Sequence, residues 1–270
     1  MAARTIVVAN QKGGVGKTTT SVNLSACVAE RGKRVLLIDF DPQANATSGL
    51  GVDKQEGRSL YNVRLGNGAA EEFIVKTEIP RLDLIPAEVN LAGAEVEVAR
   101  SDRYLSRLQD ALKPLKESDR YDFIFIDCPP SLGVLTMNAL AASDSLLMPM
   151  QSEYYALEGL SVMVRLIDQV RSTGANPNIE IEGIVMTMYD NRTTLSRQVW
   201  QQVREYFEDK VYDTLIPRSV RLSEAPSFGK PIILYDKLCL GAVAYRNLAR
   251  EFLARQKSTE RDPSPVIRDP

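Results

Sequence analysis

RTIVVANQKGGVGKTTTSVNL, residues 4–24, passes from a β-branched apolar run through three glycines into a helix-forming segment. A strand, a Gly-rich turn and a helix, in that order, is the context of a phosphate-binding loop. Glycines at 13, 14 and 16 let the backbone approach anionic oxygens closely, and the N–H groups of the turn and the helix start make the anion site. Lys17 is placed to reach β- and γ-phosphates, the Thr18 hydroxyl to ligate Mg²⁺, and Thr19 to add a phosphate contact. The common spacing G-x-x-x-x-G-K-[ST] asks for glycine at position 11, where this chain has Gln, and a second lysine stands at position 12. The competing reading is a Gly-rich turn with incidental lysines.

Outward from the loop, short apolar runs alternate with longer helical patterns. Strands are expected at 5–9, 34–39, 82–86, 123–127, 145–150, 181–188 and 211–217. They are apolar on both faces, as buried parallel strands are. Amphipathic helices are expected near 17–31, 101–116, 132–142, 154–173, 194–208 and 242–256. The alternation predicts an α/β fold, doubly wound, with a mostly parallel sheet and helices on both faces. Residues 46–80 are the least regular, with at most a short helix around 58–65. The reading is one domain over 1–256, followed by a charged, Pro-containing tail at 257–270 expected to be disordered.

Composition narrows the chemistry. The 270 residues carry a net charge of −2, which argues against a generally basic nucleic-acid coat. The three cysteines, 27, 128 and 239, are far apart and odd in number, which predicts free thiols and a reducing, cytoplasmic setting. No apolar run reaches the ~18 residues of a spanning helix, and the N-terminus lacks a signal-peptide layout. There is no histidine, so proton chemistry falls to carboxylates, lysine, tyrosine, thiol or water.

Two acidic stretches accompany the loop. LLIDFDPQAN (36–45) ends a strand with Asp39 and Asp41, which an extended backbone turns to the same side. Such a pair suits a metal-bound water and an attacking water; the plainer reading is an acidic strand end before a Pro turn. YDFIFIDCPPS (121–131) brings Asp127 to the C-terminal edge of the sheet, where a carboxylate holds Mg²⁺.

The stretch KGGVGKTT resembles the deviant Walker A signature of the ParA/MinD ATPases, a branch that includes the nitrogenase iron protein. The likeness covers roughly residues 4–255. PQANATSGLG (42–51), SLGVLTMNAL (131–140) and IPRSVRLSEAPSFGKPI (216–232) are similar to the chromosomal ParA/Soj group within it.

The resemblance implies an ATPase whose ATP site is built from Lys12, Gly13, Gly14, Val15, Gly16, Lys17, Thr18 and Thr19. It implies that Lys12 reaches across a homodimer to the partner's nucleotide, and that Gly13 lies close to that interface. Asp41 is implied to position the hydrolytic water, Asp39 to support the Mg²⁺ shell, and Asp127 to bind the metal through water. Adenine contacts are implied near Asn191 and Pro217.

The family binds non-specific double-stranded DNA as the ATP dimer, through C-terminal arginines; here Arg192, Arg218 and Arg221 are the candidates. Residues 190–257 hold 12 Lys/Arg against 8 Asp/Glu, which agrees with a basic face, though a merely solvated face is the alternative. A ParB-type centromere-binding protein is the implied activator, and the nucleoid the implied location. An amphipathic membrane helix and an N-terminal operator-reading extension are not found in the sequence. A MinD-like division-site ATPase, a cargo-positioning relative and an iron–sulfur electron carrier are the competing functions. The carrier would need paired cysteines that this sequence does not offer.

Overall fold

The computed structural model describes residues 2–54, 57, 59–60, 69–88, 105–153 and 156–261, the last four by backbone alone. The sheet has seven strands: β1 (Arg4–Val8), β2 (Val35–Asp39), β3 (Val75–Lys76), β4 (Leu82–Ile85), β5 (Phe123–Asp127), β6 (Ser145–Gln151) and β7 (Glu180–Thr187). Their order is β3-β4-β2-β5-β1-β6-β7. Every pairing is parallel except β3 with β4. The chain leaves β1 toward β2 on one side and later fills β6 and β7 on the other. The C-terminal end of β1 therefore lies where the crossovers diverge, the place where open α/β sheets bind ligands.

The strands alternate between two apolar cores. Val7, Leu36, Ile38, Ile124 and Ile126 face one, and Ile6, Val8, Val35, Leu37, Phe123 and Phe125 face the other. Period-two side chains with both faces covered explain why these segments read as continuous apolar runs. The first core is covered by α3 (Arg107–Glu117), α4 (Val134–Ala142), α5 (Ala156–Ser172) and α6 (Thr194–Phe207). The second is covered by α1 (Lys17–Glu30) and α9 (Leu240–Arg261). Three short helices, α2 (Asn45–Gly49), α7 (Val220–Glu224) and α8 (Ile232–Tyr235), sit in the connections.

One expected strand is absent. Residues 211–217 make only two isolated bridges, Ile184 with Val211 and Tyr189 with Pro217. Between them, the N–H groups of Asp213 and Thr214 bond to the Glu251 carboxylate on α9, at 2.8 and 2.9 Å. Those donors are lost to a ladder, and Pro217 has none to give. Conversely, β3 and α2 arise inside the stretch the sequence left irregular. The helix expected near 58–65 falls almost wholly outside the described residues, as do the first residues of the helix expected at 101–116. The final helix runs to Arg261, past its expected end at 256; residues 262–270 lie outside the described set.

The β6–β7 register shifts between Leu146 and Leu147, so Gly183 rather than Glu182 faces Leu147. At Gly183 a Cβ would stand 2.5 Å from Tyr212 Cε2 and 2.8 Å from the Lys210 carbonyl oxygen. Tyr212 is fully buried, with the Arg255 guanidinium 3.9 Å above its ring, so it has little room to yield. Gly183→Ala is expected to cost about 1–3 kcal/mol by overpacking. Urea unfolding followed by far-UV circular dichroism measures this, and an unchanged midpoint would show that Tyr212 can move.

Candidate nucleotide and metal site

The Gly-rich turn hangs from the C-terminal end of β1. Asn10 braces its entrance: Nδ2 donates to the Pro149 carbonyl on β6 at 2.8 Å, and Oδ1 accepts from the Lys12 N–H at 3.0 Å. Gly16 caps α1 at φ +84°, a left-handed conformation that glycine adopts at low cost. At the far end of β7, the Thr187 hydroxyl donates to the Val15 carbonyl at 2.7 Å. The turn is thus held from three strands, which preorganises its N–H groups.

Lys17 is buried, and its ammonium donates to the Lys12 carbonyl oxygen at 2.9 Å. Burial pushes its pKa down, opposed by the neighbouring Asp127, Cys128 and Asp41 charges. A buried ammonium at a helix N-terminus, with a loop carbonyl as its acceptor, is poised for an anionic ligand of higher charge. Lys12 differs. It is exposed, and its ammonium pairs with Glu153, just past β6 in the same chain. At Gly13 an added Cβ would meet only Pro130 Cβ, at 3.9 Å, so the chain's own fold leaves space there.

Three carboxylates lie beyond the loop. Asp127, at the end of β5, is completely buried. Its Oδ1 accepts from the Ser21 hydroxyl at 2.7 Å, and its Oδ2 has no hydrogen-bond partner. Burial raises its pKa, the charge of Asp39 adds to that, and the Ser21 and Thr18 hydroxyls pull the other way. Asp39 is raised by burial too, offset by donors from Thr47 and the Asp41 N–H. Asp41 is buried, and its Oδ1 accepts from the Gln43 N–H at 2.9 Å.

Hydroxyl and carboxylate oxygens, one of them buried and unpartnered, suit a hard divalent cation. Among the described residues no three acidic, thiol or imidazole groups form a metal cage. That fits Mg²⁺, which takes one or two protein carboxylates and completes its shell with water and phosphate oxygens. A groove of about 430 Å³ opens beside Thr18 and Thr19, between α1, α2 and residues 225–230.

A family model described as an AAA domain matches residues 3–181. The chain is 54% identical over 250 residues to the sporulation initiation inhibitor protein Soj of Bacillus subtilis, covering 92% of this chain and 98% of that one. It is 51% identical over 258 residues to the chromosome partitioning protein ParA of Caulobacter vibrioides, covering 95% and 96%. The chain belongs to the ParA/Soj family of chromosome-partitioning ATPases. A solved structure of cobyrinic acid a,c-diamide synthase from Mycobacterium smegmatis, with bound ADP and magnesium, is similar at a TM-score of 0.81 and 36% identity. The match covers 99% of this chain and 100% of that one.

In this ParA/Soj chain the C-terminal candidates fall into two groups. The Tyr189–Pro217 bridge places the segments carrying Asn191, Arg192, Pro217 and Arg218 side by side. The first of these segments continues from the end of β7, whose Thr187 touches the loop, and the second returns beside it after α6. Asp190 lies among them, its pKa lowered to about 2 by hydrogen bonds from Arg192 and by the nearby Arg218 charge. Arg221, on α7, pairs instead with Glu224 and Asp236. All three arginines are exposed, and exposed pairs of this kind exchange readily for phosphate contacts. Cys27, Cys128 and Cys239 are free thiols in α1, after β5 and before α9.

Ser21, Thr47, Asn10 and Glu153 also belong to the site, and sequence reasoning passed over them. Ser21 follows Lys17 by one helical turn, which was a usable signal. Asn10 stands two residues before Lys12, an equally local position, whereas Thr47 and Glu153 meet the site only through the fold.

Proposed function

We propose that this protein binds ATP with Mg²⁺ in the β1–α1 loop and closes as a homodimer around two nucleotides. The closed dimer then holds double-stranded DNA without sequence preference. The observation that carries this reading is the division of labour between the two loop lysines. Lys17 is buried inside its own loop, while Lys12 stands exposed at the rim, paired with Glu153.

Lys17 and the α1 N-terminal N–H groups hold the β- and γ-phosphates of the substrate. Thr18 and, through water, Asp127 would hold the Mg²⁺, which when bound neutralises phosphate charge. Asp41 orients the attacking water. Lys12 leaves Glu153 to neutralise the leaving phosphate of the partner subunit's nucleotide. Asn191, just past β7, and Pro217, bridged to Tyr189 beside it, line the adenine end. Arg192, Arg218 and Arg221 contact DNA phosphates, and dimerisation doubles those contacts. A ParB-type partner accelerates hydrolysis and releases the dimer from the nucleoid in the cytoplasm. Among the described residues no helix is long and apolar enough to cross a membrane. Identities of 49–51% to relatives named for chromosome partitioning favour DNA as cargo over other loads.

The test is fluorescence anisotropy of a random-sequence duplex with ATP and with ADP across a salt series. Expected is ATP-dependent binding that weakens steeply with salt, since each neutralised phosphate releases about 0.9 counterion. Equal binding with ATP and ADP, or none in a sample shown to dimerise, refutes the DNA reading.

A further inference from the structure

Thr47, in α2, is completely buried. Its backbone N–H and its hydroxyl both donate to Asp39 Oδ2, each at 2.7 Å. Its hydroxyl oxygen accepts in turn from the Ala87 N–H at 3.0 Å, just beyond β4. The other oxygen of Asp39 accepts from the Asp41 N–H at 3.2 Å. Asp39 therefore spends both oxygens on protein donors. Charge-assisted bonds of this kind, in a site closed to water, are strong and directional. One end of the chain of contacts is anchored in the sheet through Ala87. The other end sets the backbone that carries Asp41.

We propose that Thr47 is a positioning residue for hydrolysis: through Asp39 it holds the Asp41 backbone where the Asp41 carboxylate can orient water. This rests on the assignment of Asp41 made above. Removing the hydroxyl leaves Asp39 Oδ2 with a single donor and strips Ala87 N–H of its acceptor. The 39–44 turn then loses its tie to β4. Misplacing a reacting group by about 1 Å costs on the order of 100-fold in rate.

The experiment compares full-length wild type, Thr47→Val, Thr47→Ser, Asp41→Ala and the Thr47→Val/Asp41→Ala double variant. Three quantities are read: single-turnover ATP hydrolysis, ATP-dependent dimerisation by sedimentation, and melting temperature. Expected for Thr47→Val is hydrolysis slower by about 10- to 100-fold, with dimerisation on ATP retained. Thr47→Ser should recover most of the rate, and Thr47→Val should slow the Asp41→Ala protein no further. Should Thr47→Val not fold, Thr47→Ala removes the same hydroxyl without pressing a methyl group against Asp39. Wild-type hydrolysis in the Thr47 variants beside an inactive Asp41→Ala overturns the Thr47 proposal and leaves Asp41 in its role. Joint loss of dimerisation and hydrolysis without rescue by serine also overturns it, in favour of a purely structural staple. Normal hydrolysis by Asp41→Ala instead removes the assignment on which the proposal stands.

Discussion

Asp41→Ala is expected to lower the single-turnover rate of ATP hydrolysis by about 10²–10⁴-fold, the usual contribution of a positioned acid–base group, and to leave ATP-dependent association intact. The protein offers no histidine for the task. Lys17 carries a positive charge suited to phosphate, and Asp127 has one oxygen engaged by Ser21. Asp41 sits two residues beyond the end of β2, buried, on a turn pinned by Asp39 and by its own bond to the Gln43 N–H. Its alanine variant keeps the loop, Lys17 and Asp127 in place, so nucleotide binding should survive. Rapid-quench hydrolysis beside sedimentation with ATP separates the two effects. A variant that neither dimerises nor hydrolyses would mean that Asp41 serves binding rather than the water.

Lys17→Ala is expected to weaken ATP binding by about 30- to 5000-fold, the equivalent of about 2–5 kcal/mol for truncating one partner of a buried charge pair. The ammonium is buried beside Asp127 and Asp41, and its hydrogen bond closes on the Lys12 carbonyl. Without it the loop presents N–H groups and a helix N-terminus, but its remaining lysine, Lys12, is exposed and paired with Glu153, while nearby carboxylates repel the phosphates. Calorimetric titration with a non-hydrolysable ATP analogue and Mg²⁺ gives the affinity. The rise in melting temperature on adding the analogue should vanish in parallel, since ligand stabilisation follows occupancy. Affinity within threefold of wild type would show that the backbone alone holds the phosphates.

Much of this was legible before any coordinates. The β1–loop–α1 unit follows from local rules: a β-branched run, glycines where the turn needs them, and a helix that starts at Lys17. Strands β2, β5, β6 and β7 are visible because both of their faces are buried, which leaves unbroken apolar runs. Residues 211–217 mislead for the same reason in reverse. They are apolar because Tyr212 and Ile216 enter the core, while between those two residues the Asp213 and Thr214 N–H groups turn to Glu251 on α9 instead of continuing a ladder with β7. Apolar content reports burial and cannot report which donor meets which acceptor.

Local sequence alone carries the alternation of strands and helices, the phosphate loop, and the carboxylates Asp39, Asp41 and Asp127. Those features depend on neighbours a few residues apart. Folding in three dimensions is what brings Ser21 to Asp127, links Asp39 through Thr47 to Ala87, and sets Lys12 on Glu153. Thr47 lies eight residues from Asp39 and 40 from Ala87, Ser21 lies 106 from Asp127, and Lys12 lies 141 from Glu153. They meet because a parallel sheet gathers the C-terminal ends of its strands at one edge, and no local pattern records which side chains will face each other there.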